Sequence, residues 1–337
     1  LLLHVWYGST VASLSREVRK LCEFYLDKTY SDKSNIDFML HDFGYRGATT
    51  NQSAVICGAA HLLNFKGTDT IPSLTLPYNS YNAKEMPGFS VEASEHSVMT
   101  ALGKDDEYEQ AAHVINSADE GILSVVIDSY DYRNFLETIF DGVSPHSKAM
   151  FEFLESSENN KIVFRPDSGD PVSTTLDVFN IIGKHIDTPL NEGGYKVLPP
   201  NFGVLWGDGL NYHKIRDILF ALKSNMWAAS NIVFGMGGGL HTAVNRDTQR
   251  TAFKSSAQCR DGKWHDIYKE PLDSTKKSKR GKLALIKNNN DFITEQVPYG
   301  TENKDDYLRT VFKNGKLLID DNWEDVRERA LYKNEYK

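Results

Sequence analysis

Five short stretches carry residue types that could act together on a phosphorylated sugar. In His41-Asp-Phe-Gly-Tyr-Arg-Gly47 an aromatic ring, a glycine and a cation stand close together, so Phe43 could stack on a flat ring and Arg46 could hold a phosphate. An ordinary turn is the competing reading. Phe65-Lys-Gly-Thr-Asp-Thr70 offers Asp69, a lone carboxylate of a kind that more often faces solvent or caps a helix. Arg165-Pro-Asp-Ser-Gly169 sets a cation and an anion two residues apart, which points both to one side of an extended chain. Arg165 suits a phosphate oxygen and Asp167 a ribose hydroxyl or a magnesium-bound water; a structural ion pair is the alternative. Gly207-Asp208-Gly209 exposes backbone and one acid where a sugar could lie. Gly237-Gly-Gly239 could cradle a phosphate on bare N–H groups, or serve as a hinge. Together they describe a pocket for a phosphorylated ribose. Neither a Walker loop nor a dinucleotide Gly-x-Gly-x-x-Gly is present, which disfavours those two phosphate-binding designs.

The elements that must hold these residues read as alternating strands and helices. Short apolar runs at Ile36–Leu40, Ile122–Ile127, Ile162–Phe164, Phe202–Trp206 and Ile232–Phe234 each end in an acidic or glycine-rich turn. Pro171 is placed to open a helix capped by Asp170, with Val172, Leu176, Phe179 and Ile182 on one face. A second helix is expected over 211–222 with Ile215, Ile218, Leu219 and Leu222 inward, and another over 11–27. Such alternation means a parallel sheet, and its repetition suggests an α/β barrel, where ligands gather at the strand ends. Past residue 250 the text turns to Lys/Arg-rich loops and shorter strands, with a hairpin expected at Thr310-Val-Phe-Lys-Asn-Gly-Lys316. The division expected is a helical lead-in over 1–35 belonging to a second module, a barrel over 36–248, and a β-rich module over 249–337.

Composition narrows the partners. A formal net charge of −8 opposes non-specific binding to nucleic acid, so phosphate must be held by a local basic pocket. Three scattered cysteines, Cys22, Cys57 and Cys259, fit neither a disulfide framework nor a zinc site and read as a reducing cytoplasm. No apolar run approaches the length of a membrane span, and a soluble protein is expected. The chain opens without Met, inside what reads as ordered structure, so a preceding segment is expected.

The ordered set HDFGYRG, HLLNFKGTDT, EASEHS, DSYD, RPDSGDP, YKVLPP, GDG, FGMGGGL and TVFKNGK resembles the nicotinamide phosphoribosyltransferase family over nearly the whole chain. The resemblance implies an irregular type II phosphoribosyltransferase α/β barrel with an additional mixed α+β, β-rich module, acting as a homodimer with shared sites. It implies transfer of the phosphoribosyl group from phosphoribosyl pyrophosphate to nicotinamide, with Mg2+ as cofactor and ATP as a coupled, non-obligatory substrate. Carried over position by position, Phe43 is one wall of the nicotinamide slot and Asp69 the acceptor for its amide. Arg46, His96 and Arg165 are phosphate or diphosphate ligands, and His96 the residue phosphorylated when ATP is used. Asp167, Gly207 and Asp208 contact ribose, Gly238 donates to the 5′-phosphate, and Arg246, Lys254, Lys269 and Lys276 form a basic set toward the phosphates. His96, Arg165 and Asp167 are the residues expected to carry catalysis. Metal ligands are not assigned.

Two departures stand out against the family pattern. Its members begin with a further domain-sized segment, which supplies a tyrosine as the second wall of the slot across the dimer; a separate N-terminal polypeptide is one source for it. Ile127 also stands where a serine is expected, making the slot floor more apolar. Rival readings are a nicotinate-type phosphoribosyltransferase and a non-catalytic fragment or subunit. Asp69 argues against the first, since a carboxylate accepts from a neutral amide and repels an anionic substrate.

Overall fold

Buried β-branched runs that alternate with amphipathic helices can satisfy both their faces only as a parallel sheet covered by helices. A computed structural model describes residues 2–273, 276–289 and 291–331 of this architecture. In chain order come α1 (Leu2–Lys28), β1 (Leu40–Asp42), α2 (Asn51–Leu62), β2 (Gly67–Thr68), α3 (Thr75–Tyr81), β3 (Glu92–Ala93), α4 (His96–Met99) and α5 (Glu107–Asn116). Then follow β4 (Ile122–Val126), α6 (Tyr132–Ile139), α7 (Pro145–Ser156), β5 (Lys161–Arg165), α8 (Pro171–His185), β6 (Phe202–Trp206), α9 (Tyr212–Ser224), β7 (Ile232–Met236) and α10 (Gly238–His241).

The seven strands pair in the order β2-β1-β7-β6-β5-β4-β3, all parallel. Its two edges are joined by the segment that runs into β3. Phe89 bridges in parallel to Gly67 of β2, with Thr68 donating to the Phe89 carbonyl at 2.9 Å, and three residues later Glu92 pairs with Leu123 of β4. The irregular α/β barrel is therefore closed through a few residues rather than a full eighth strand.

Helix boundaries follow local chemistry. Asp170 accepts from the Ser173 amide ahead of Pro171, and Asn211 accepts from the Lys214 amide at the start of α9. Helix α9 buries Ile215, Ile218, Leu219 and Leu222, the face read from the sequence. One expected strand moves. Ile36–Phe38 is a 3-10 turn and the strand begins only at Leu40, because Asp37 is drawn outward to Arg19 at 2.7 Å while its carbonyl receives the Lys66 amide. Helix α1 lies against α2 and α9, and Val11, Val18, Cys22 and Leu26 join the same core as the barrel strands.

The last part carries three two-stranded hairpins: β8 (Ala257–Arg260) with β9 (Lys263–Asp266), β10 (Lys282–Asn288) with β11 (Asp291–Val297), and β12 (Phe312–Lys313) with β13 (Lys316–Leu317). Asn314 and Gly315 take the positive φ of the expected Asn-Gly turn, 51° and 78°. Helix α11 (Trp323–Leu331) follows. Of the ranges expected above, residues 1, 274, 275, 290 and 332–337 lie outside the described residues.

Candidate functional site

Strands β1, β2, β5, β6 and β7 all run the same way, so the turns at their carboxyl ends meet at one mouth of the barrel. There they line an open cavity of about 610 Å³. Phe43, Arg46, Asp69, Arg165, Asp167, Gly207, Asp208 and Gly238 all face it, so eight expected site residues from five separate turns converge.

Against the glycines lies an ion pair set over an aromatic ring. Arg165 donates to Asp167 through Nε at 3.0 and 3.1 Å and Nη2 at 2.6 Å, and its guanidinium carbon lies 5.4 Å from the Phe43 ring centre. Phe43 fits only because its neighbours lack side chains. A Cβ on Gly235 would fall 2.2 Å from its ring, and one on Gly207 would fall 2.9 Å from Asp167 Oδ1 and 3.2 Å from the ring. These glycines make room for protein side chains as much as for a ligand. Asp69 receives the Ser90 hydroxyl on Oδ1 at 2.6 Å. The Asp208 turn is fixed by Trp206, whose indole donates to the Asp208 carbonyl at 2.8 Å.

His96 stands outside the cavity wall but is tied to it. Its Nε2 lies 3.1 Å from Asp128 Oδ1, and Asp128 Oδ2 accepts the Asp167 amide at 3.1 Å. One buried carboxylate thus holds both the imidazole and the Asp167 backbone, while the His96 side chain stays 42% exposed. The basic set is not gathered there. Arg246 pairs with Asp247 at 2.5 Å and donates to the Thr251 carbonyl, Lys254 is exposed, and Lys276 lies 3.5 Å from Asp273. Lys269 lines a separate cleft of about 310 Å³ with Tyr268, Lys277, Lys279 and Arg280. Ile127 is fully buried in the core, its amide donating to the Arg165 carbonyl.

Sequence reasoning left several wall residues without a role. Tyr45, Leu210 and Asn211 line the cavity beside the motif residues, and their position next to Phe43 and Asp208 was the available signal. Asp128 opens the turn after β4 as the other site residues open theirs. Among the described residues no group of three or more His, Cys, Asp or Glu is arranged to hold a metal ion; Asp167 and Asp208 are carboxylates on the cavity wall.

Similarity to known proteins agrees with this geometry. Residues 38–316 match the model of the nicotinate phosphoribosyltransferase (NAPRTase) family. The chain is 37% identical, over 98% of its length and 70% of the relative's, to a nicotinamide phosphoribosyltransferase of Xanthomonas campestris pv. campestris. It is 34% identical to one from Mycoplasma pneumoniae, over 84% of the chain and 62% of that relative. A third, from Acinetobacter baylyi, is 30% identical over 96% of the chain and 67% of its own length. The chain thus spans about two thirds of the length of these relatives. With the matched region covering the whole barrel and every turn that lines its mouth, the chain belongs to the nicotinate phosphoribosyltransferase family.

Proposed function

We propose that the cavity binds phosphoribosyl pyrophosphate and nicotinamide and transfers the phosphoribosyl group to the pyridine nitrogen, giving nicotinamide mononucleotide and pyrophosphate. The observation that carries this reading is the convergence of an aromatic wall, a carboxylate, an arginine–aspartate pair and two glycine turns on one barrel mouth. The named relatives support the choice of base.

In the reaction the bond from C1 to the pyrophosphate oxygen breaks with its electron pair leaving on oxygen, while the ring nitrogen donates its lone pair to C1 from the other face. Positioning and charge stabilisation supply the rate. Phe43 stacks on the pyridine ring and Asp69 accepts its amide N–H. Asp167 and Asp208 hold the ribose hydroxyls and favour the positive charge that grows at C1. Arg46 and Arg165 hold phosphate oxygens, and the Gly238 amide takes the 5′-phosphate. Asp167 and Asp208, whose hard carboxylate oxygens suit the water shell of a magnesium ion, would hold one carried in with the diphosphate, and it would supply positive charge toward the leaving group. His96, held by Asp128 through Nε2, would accept a phosphoryl group from ATP as a coupled substrate, with ADP leaving.

The reading extends to a homodimer in the cytoplasm, in which Arg246, Lys254, Lys269 and Lys276 of one protomer reach the phosphate end of the other's cavity. Their position away from the chain's own cavity and the exposed Phe253, Phe312 and Leu317 support it. Incubating the chain with nicotinamide, phosphoribosyl pyrophosphate and magnesium, alone and with any co-purifying polypeptide, tests the activity. Mononucleotide formation is expected; its absence under both conditions, with phosphoribosyl pyrophosphate failing to bind, overturns the reading.

A further inference from the structure

Beneath the cavity lies a pair of side chains that the transfer chemistry does not use. Asp42, the last residue of β1, and His241, the last residue of α10, stand 199 positions apart and meet at 2.8 Å, Nε2 to Oδ1, with both side chains fully buried. The same Oδ1 accepts the Gly44 amide at 2.8 Å, and a Cβ on Gly44 would lie 2.1 Å from the imidazole, so the ring edge rests directly on that backbone. The Phe43 amide donates to the Met236 carbonyl at 3.1 Å, and the His241 carbonyl receives the Tyr7 hydroxyl at 2.8 Å. We propose that Asp42 and His241 form a positioning pair that locks the aromatic turn bearing Phe43 to the glycine turn 237–239, fixing the distance between the base-binding and phosphate-binding sides of the cavity.

The energetics favour geometry over stability as the role of this pair. Asp42 Oδ2 and His241 Nδ1 are both buried with no partner among the described residues, and unpaired buried polar atoms are costly. A buried ion pair does not generally outperform an apolar pair of equal size. What the pair supplies is direction. One carboxylate oxygen receives a donor from each turn, so neither turn can shift without breaking a bond in a site that excludes water. Burial opposes ionisation of Asp42, yet the His241 contact and the Gly44 amide hold its carboxyl below the usual range, so the anion is the form present. The two turns it joins carry Phe43 and Gly238, which must stay at one separation if ring nitrogen and C1 are to meet in line.

This inference rests on the reaction proposed above, and its test keeps the two apart. Amide hydrogen exchange of the whole chain reports the lock, and calorimetry with nicotinamide mononucleotide reports its effect on binding. In His241→Leu, exchange at residues 43–47 and 237–243 should rise together while β4 and β5 keep their protection, and mononucleotide affinity should fall about tenfold or more. His241→Gln can still donate to Asp42 and should stay within about threefold of the parent. Unchanged exchange in a folded His241→Leu, or equal losses of affinity in the Leu and Gln variants, overturns the proposal. Should His241→Leu not fold, Asp42→Asn carries the same two readouts, and normal exchange with normal affinity there overturns it equally. If the parent chain binds no mononucleotide while the two turns still loosen together, the functional reading falls and the lock stands.

Discussion

Arg165 and Asp167 face each other across a single proline and are joined by three hydrogen bonds, with 18% and 12% of their side chains exposed. The guanidinium fork is spent on Asp167 and its carbon lies over the Phe43 ring. A phosphate bound there, as the proposed function has it, would share an arginine that is already oriented, which would remove most of the rotamer entropy that binding would otherwise cost.

Replacing that fork by a point charge should be felt mainly by the phosphate substrate. Arg165→Lys is expected to weaken use of phosphoribosyl pyrophosphate by on the order of 1 to 3 kcal/mol, and that of nicotinamide by less. Steady-state kinetics with each substrate varied in turn decide it. Equal effects on both, or none, would reduce the pair to a structural one.

Asp69→Asn keeps shape and removes charge at the edge of the cavity. The Ser90 hydroxyl can still donate to the amide oxygen, leaving the NH2 group to face the ligand. Discrimination against nicotinate should drop, because an amide can donate to a carboxylate that Asp69 repels. An unchanged ratio of kcat/KM for the two bases in competition would remove Asp69 from selectivity.

Gly235→Ala tests whether the bare position in β7 serves Phe43. The added methyl would sit 2.2 Å from the ring, so the ring must leave its rotamer or the strand must shift. Overpacking of this kind costs about 1 to 3 kcal/mol of stability. Nicotinamide affinity should fall well beyond that of phosphoribosyl pyrophosphate; losses of the same size for both would place the effect on the barrel as a whole.

Two buried histidines make the fold sensitive to acid. Burial pushes His61 and His146 down to about 4, so the folded chain keeps both rings neutral while the unfolded chain takes up protons near pH 6.5. Their contribution is complete above 6.5 and is lost as pH falls from there toward 4, on the order of 3 kcal/mol for each ring. Denaturant melts between pH 7 and 4 should show this slope, and His146→Gln should flatten it. An equally steep slope in that variant would exonerate His146.

The legible part of this chain was what local chemistry decides. Helix α8 announced its Asp170 cap and α9 its inward face, and the turns after β5, β6 and β7 carried residue types rarely found together. What escaped was whatever depends on partners distant in sequence. Ile36–Phe38 has the composition of a strand but yields to the Arg19–Asp37 contact. His241 reads as an unremarkable residue after a glycine run, since nothing near it names Asp42. Asp128 was visible as a strand-end acid, yet its twofold grip on His96 and Asp167 needs three turns folded around it.

The seam at residues 89–93 gives the barrel a mechanical polarity. Elsewhere around the ring neighbouring strands share two to five paired residues, whereas Phe89 meets Gly67 through one bridge before the chain passes on to β4. Ser90, inside that seam, donates to Asp69, the carboxylate assigned to the base. Thermal opening of the cylinder starts where the fewest rungs resist it. A base held at Asp69, as the proposed function has it, would lie beside that single bridge and add a contact across it.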